Sequence, residues 1–122
     1  MGSVERFVPR HVLKASTTYR LFREAILTES QVVCRYDGRL RELCPHIIGH
    51  TGGVEKVLAW QFGGDSKGGL PAGGMWRCFA LDRISEAAMR EGPWFTGSAH
   101  STSQTCVADI DLDINVHVRT LR

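Results

Sequence analysis

The stretch QVVCRYDGRLREL, residues 31–43, decides the fold. Val33, Arg35 and Asp37 alternate with Val32, Cys34 and Tyr36, the period-two pattern of a strand. Asp37-Gly38 then places together two residues that tolerate positive φ, which a tight hairpin demands at both central positions. The chain therefore runs out along one strand, turns at 37–38 and returns from Arg39 to about Thr51. Pro45 interrupts the return. Proline cannot donate to a ladder, so this strand is expected to be an edge or to bend there.

Working outward, TGG at 51–53 makes a second turn, and VEKVLAWQF at 54–62 is a third strand. Upstream, STTYRLFREAILTES at 16–30 reads as a helix. Ser16 or Thr17 supplies the N-cap oxygen, and Tyr19, Phe22 and Ile26 share one face with Ala25 beside them. Residues 1–16 form a basic leader. Its Val8, Val12 and Leu13 either dock onto the body or leave the leader as a free arm. Downstream, GGDSKGGLPAGG at 63–74 holds six glycines and a proline, the composition of a loop. It lacks the Lys-Ser/Thr ending of a phosphate-cradling P-loop. Trp76 to Leu81 is a fourth strand. RISEAAMRE suits helix or strand, and strand–loop–strand fits the rest of the pattern. The segment 96–106 is polar and irregular. Ile110, Leu112, Ile114, Val116 and Val118 then alternate with Asp111, Asp113, Asn115 and His117, which predicts a strand with one wet face.

One helix followed by several short antiparallel strands predicts a mainly β chain of α+β type, closed into a small barrel so that no edge stays open. The length of 122 residues suits one domain. Its parts are the leader (1–16), the barrel (17–95) and the polar loop with the C-terminal strand (96–122). Net charge is +2, too small for a general polyanion binder. Residues 1–50 nevertheless carry eight Lys/Arg against five Asp/Glu, so a local basic patch is available. The first residues lack the apolar run of a secretory signal, and no run approaches membrane-spanning length. The four cysteines form no C-x-x-C pair. Reduced thiols, and hence a cytoplasmic setting, are the expectation.

Four constellations bear on chemistry. Cys44, His46, His50, Cys78, His100 and Cys106 are residue types that zinc favours, but structural zinc sites show paired short spacings that this chain lacks. Cys106, in a polar context, is a candidate nucleophile without an elbow motif around it. Trp76 abuts the glycine-rich loop and either packs in the core or stacks on a ligand. The arginines are the better lead. Arginine is seldom buried unless something pairs with it. WRCFALDRIS, residues 76–85, places Arg77 and Arg83 near its two ends, and Arg39 and Arg41 share a face across the hairpin from Arg35. Either these side chains converge as planar forks for a carboxylate or phosphate, or they pair with Asp37, Glu42, Asp82 and Glu86.

Residues 20–84 resemble a WYL domain, an Sm/SH3-like β-barrel found mostly in bacteria. The order of LFREAILTES, VVCRYDG, RLRELCPHIIGHTGG, VLAW and WRCFALDRIS carries the resemblance, with Tyr36, Pro45 and the run Arg77, Phe79, Leu81, Asp82, Arg83, Ile84 at the family's places. The Trp-Tyr-Leu triplet that names the family falls on Glu55, Lys56 and Val57 here. The resemblance implies a non-enzymatic regulatory module, without cofactor, that recognises an anionic ligand, a nucleotide or single-stranded nucleic acid through a basic pocket. Tyr36, Arg41, Arg77 and Arg83 are the residues it points to, with His50 near the end of its strand; Trp76 is added as a stacking candidate. The other reading is a non-catalytic interaction or dimerisation barrel whose arginines sit in structural salt bridges. The segment before the first strand holds one helix, too little for a helix-turn-helix.

Overall fold

The computed structural model describes residues 15–65, 69–97 and 104–115. A helix, α1 (Thr17–Thr28), precedes six strands: β1 (Gln31–Tyr36), β2 (Arg39–Thr51), β3 (Val54–Gly64), β4 (Met75–Ala80), β5 (Ile84–Arg90) and β6 (Asp109–Asp113). All pair antiparallel in one sheet, ordered β4-β3-β2-β1-β5, with β6 beside β2. A three-residue 3₁₀ turn, Leu81–Arg83, joins β4 to β5. These two strands end the main sheet path from opposite sides, yet three residues span only about 10 Å. The sheet is therefore strongly curled, and its ends approach one another.

Local chemistry accounts for the elements. Ser16 Oγ accepts from the Tyr19 amide at 3.0 Å and caps α1. The same hydroxyl donates to Glu55 of β3 at 2.6 Å, which ties the helix start to the sheet. Tyr19, Phe22, Ala25 and Ile26 are the buried face. Asp37 and Gly38 both adopt positive φ, 51° and 82°, as the 37–38 turn requires.

Of the two outcomes expected for β2, an edge or a break at Pro45, the second is found. β2 is not an edge strand: β3 lies along one side, while β1 and then β6 share the other. The β1 ladder ends at Leu43 and the β6 ladder begins at Ile47. Pro45 falls in the gap, and the β2–β3 register shifts between Pro45 and Ile47. The strand thus accommodates the missing donor through a bulge. Gly49 lets β6 approach, because a Cβ there would run into the Asp109 carbonyl and Val107.

Two expectations change in part. RISEAAMRE takes the strand reading and not the helical one, with no loop inside it: after the 3₁₀ turn, Ile84–Arg90 is one strand. Its pairing with β1 jumps from Ser85 to Ala88, with Glu86 in the bulge at φ 53°. The C-terminal alternation also stops early. β6 ends at Asp113, whose carboxylate accepts from the Asn115 amide at 2.9 Å and starts a helical turn at Ile114. Val116, His117 and Val118 lie outside the described residues, as do the leader through Lys14 and His100.

The main core lies between α1 and one sheet face: Phe22, Ile26, Val32, Leu43, Ile48, Val57 and Phe79. Each large side chain buried there contributes about 1.5–3 kcal/mol. A smaller cluster on the other face joins Ile47, Leu58, Cys106 and Val107, with Trp76 against it. Cys78 and Cys106 form a disulfide across a Cα–Cα distance of 5.5 Å, which overturns the expectation of four thiols; Cys34 and Cys44 are free and buried. Strand alternation explains the bridge. Phe79 faces the core, so Cys78 faces outward, where Cys106 arrives. Among the described residues no helix is long and apolar enough to cross a membrane.

Candidate anion-binding site

The core face of the sheet continues beyond its apolar part into a polar patch. Alternation along β1 carries Val32, Cys34 and Tyr36; along β2, Leu43 and Arg41; along β3, Val57, Ala59 and Gln61; along β4, Phe79 and Arg77. The pairings Cys34–Arg41, Leu43–Gln61 and Ala59–Arg77 stitch these positions together.

Arg41 is the centre of the patch. It is only 4 % exposed, and Gln61 beside it is fully buried. Its Nη1 donates to Gln61 Oε1 at 3.0 Å. Gln61 in turn donates through Nε2 to the carbonyls of Gly63 and Asp65. Among the described residues Arg41 Nε has no hydrogen-bond partner and no carboxylate pairs with the side chain. The guanidinium carbon lies 5.6 Å from the Tyr36 ring centre and 5.8 Å from that of Phe79, within cation–π reach. Burial pulls the Arg41 pKa below its ordinary value, and the neighbouring charges of Arg77 and Arg39 add to the effect. A buried cation without a counter-ion is costly, because neither water nor an opposite charge replaces its hydration.

Arg83 comes to the same tyrosine, 4.7 Å from the ring centre. Unlike Arg41, it is held by an acid. Its Nε donates to Asp37 Oδ1 at 3.0 Å and its Nη2 to Asp37 Oδ2. This two-bond clasp raises the Arg83 pKa and lowers that of Asp37. Arg35 with Glu86 at 3.8 Å and Arg90 with Glu42 at 2.8 Å are further pairs. Arg77 Nη1 lies 3.6 Å from Met75 Sδ.

Tyr36 is fixed from several sides. Its hydroxyl accepts from the Ala80 amide at 3.2 Å, its ring meets Phe79 edge-on at 4.8 Å, and two guanidiniums face it. It organises the arginines and leaves little ring surface for stacking on a base.

Two residues singled out in the sequence lie elsewhere. Trp76 points to the opposite sheet face from Arg77, where it packs edge-on against His46 at 4.8 Å and Trp60 at 5.1 Å. His50 sits at the far end of β2, its ring 5.2 Å from that of Tyr19. Nine residues separate it from Arg41, roughly 30 Å along a strand. The metal-type residues also have other roles. His46 bonds to the Cys44 carbonyl and to Thr96 Oγ1, and Cys44 Sγ accepts from the Phe95 amide. Among the described residues no three His, Cys, Asp or Glu side chains gather as a metal ion needs.

Gln61 belongs to the patch and was not anticipated, whereas Arg39 was among the arginines expected to converge. Gln61 was legible: in VLAWQF it takes the same face as Val57 and Ala59, so a polar side chain was bound to enter the core face. No protein-family model, curated protein or solved structure matches the chain.

Proposed function

We propose that the protein is a non-enzymatic regulatory binding module, WYL-like in kind, that recognises an anionic ligand at the Arg41 patch. One observation carries this reading: Arg41 is buried, flanked by Arg77 and Arg39, and bonded to a neutral amide rather than to an acid. An arriving phosphate or carboxylate would supply the missing counter-charge. The topology is consistent with an Sm/SH3-like barrel, since the terminal strands β4 and β5 are joined by one 3₁₀ turn and Tyr36 links the end of β1 to Ala80. On this reading Arg41, Arg77 and Arg39 meet the ligand, and Tyr36 and Gln61 position Arg41.

Fluorescence anisotropy at low salt tests it, with a labelled single-stranded oligonucleotide and a labelled nucleotide as probes. Three phosphate contacts on a single strand predict a log–log salt slope of about −2. Affinity then falls about twenty-fold between 50 and 200 mM salt. Arg41→Gln abolishes binding of whichever probe binds. Binding of neither probe at low salt removes the proposal.

The second reading, an interaction or dimerisation module with arginines in structural pairs, is favoured by the clasp of Arg83 on Asp37. It predicts a dimer or a captured partner and indifference to Arg41→Gln.

A further inference from the structure

The segment 104–113, which ends in β6, is attached unlike the rest of the sheet. It packs Cys106 and Val107 into the small apolar cluster and Leu112 against the main core, where Ile114 follows. Thr51 Oγ1 donates to the Cys106 carbonyl at 2.7 Å and accepts from the Ala108 amide at 3.0 Å. Asp111 accepts from the Tyr19 hydroxyl at 2.9 Å and from Arg23 Nε at 3.3 Å. The ladder to β2 is interrupted by a bulge between Ile48 and Gly49. A five-residue strand that is exposed over Asp109–Asp111 and lies on a broken ladder belongs to the less stable part of a fold. The covalent hold is the Cys78–Cys106 bridge. The arm also forms one wall of a groove of about 490 Å³, where Asp109, Ile110 and Asp111 face Tyr19, Arg23 and His50.

We propose that the Cys78–Cys106 disulfide is a redox latch on this arm, and that its reduction frees residues 104–113 from β2 and opens the groove. The two sulfurs differ in access: Cys78 is exposed, whereas Cys106 is buried. A dithiol reductant therefore attacks Cys78 Sγ through its thiolate. The Cys78–Cys106 bond breaks, Cys106 leaves as thiolate and takes a proton, and a mixed disulfide forms on Cys78. The reductant's second thiol displaces Cys78, which is protonated in turn. Two electrons pass, the reductant ends as a disulfide, and the protein gains two thiols. Reoxidation reverses the sequence and seats the arm again. Release uncovers the backbone edge of β2 over Ile47–His50, the part that β6 pairs.

Thiol titration in denaturant and amide hydrogen exchange test the latch on the full chain. Air-oxidised protein yields two thiols, Cys34 and Cys44, and reduced protein yields four. Amides 109–113 exchange at least tenfold faster in the reduced protein, while those of the β1–β2 hairpin keep their rates. Cys78→Ser, at an exposed position, gives the fast-exchanging state without reductant. Four thiols in oxidised protein overturn the proposal, as do equal rates in both redox states. Acceleration spread evenly over β1–β3 also overturns it, because the bridge is then a global staple and not a latch on one arm.

Discussion

Gln61→Met isolates the energetics of the buried arginine. The substitution conserves length and apolar packing and removes three hydrogen bonds: one from Arg41 and two to the carbonyls of Gly63 and Asp65. The carbonyls lie in partly buried surroundings and recover some hydration, so they cost about 0.5–1 kcal/mol each. Arg41 does not recover. A charged donor left unmatched in the interior costs about 2–3 kcal/mol. The methionine returns roughly 1 kcal/mol through apolar burial. The net expectation is a loss of about 3 kcal/mol. For a domain of this size in urea, with a slope near 1.5 kcal/mol per molar, the midpoint drops by about 2 M. Equilibrium urea unfolding of the oxidised protein, in a buffer of weakly binding anions, reads this directly. A loss below about 1 kcal/mol refutes the reasoning, since Arg41 must then be hydrated or paired in solution. Gln61→Glu is the companion. It places a carboxylate on Arg41 Nη1, cancels the local positive charge and abolishes anion binding while the hairpin contacts persist.

Ser16→Ala removes the cap of α1 and the bond to Glu55, and is expected to cost about 1–2 kcal/mol by the same urea assay. Gly49→Ala forces a methyl group onto the Asp109 carbonyl and costs about 1–3 kcal/mol, with the disturbance seen in the exchange of β6 amides. Burial pushes the Cys34 thiol up to about 11, so it resists alkylation at pH 7 until the chain unfolds; reaction with a maleimide in native buffer contradicts this. The Asp37 carboxyl is lowered by its bond from Arg83, so its contribution is present above the unfolded carboxylate range and fades as pH falls through the lowered folded value. Asp37→Asn therefore lowers stability slightly at neutral pH, flattens the acid limb of the profile below about pH 4 and leaves stability at still lower pH unchanged, read as urea midpoints across pH.

The parts of the fold written in short-range chemistry were legible. Ser16 with its apolar stripe specified α1, and Asp37-Gly38 specified the first hairpin, because each needs only neighbours in sequence. β2 was only half legible. Pro45 announced a disruption, but nothing local says that β1 and β6 divide one side of that strand around it. The period-two run from Ile110 pointed to a strand through Val118, yet the Asp113 carboxylate captures a nearby amide and ends it. The Cys78–Cys106 bond joins a strand to a turn 28 residues away, and outward alternation of Cys78 names no partner. At the candidate site, the strand pattern placed Arg41 and Arg77 on compatible faces. It could not tell that Asp37 takes Arg83, because their encounter depends on the 3₁₀ turn, where the Asp37 amide donates to the Arg83 carbonyl at 3.1 Å. His50 and Arg41 lie on one strand, but nine positions of extended chain put them near its opposite ends.

The shared side of β2 also has a consequence for biogenesis. β1 to β5 occupy residues 31–90, whereas the strand that completes β2 comes only at Asp109–Asp113. At a synthesis rate of about 5–20 residues per second, several seconds pass between the emergence of Thr51 and that of Asp113. Throughout that interval the nascent chain carries an incomplete margin at Ile47–His50, a ready template for a neighbouring chain on the same polysome. The arriving C-terminal segment thus ends the period in which the young protein is most exposed to mispairing.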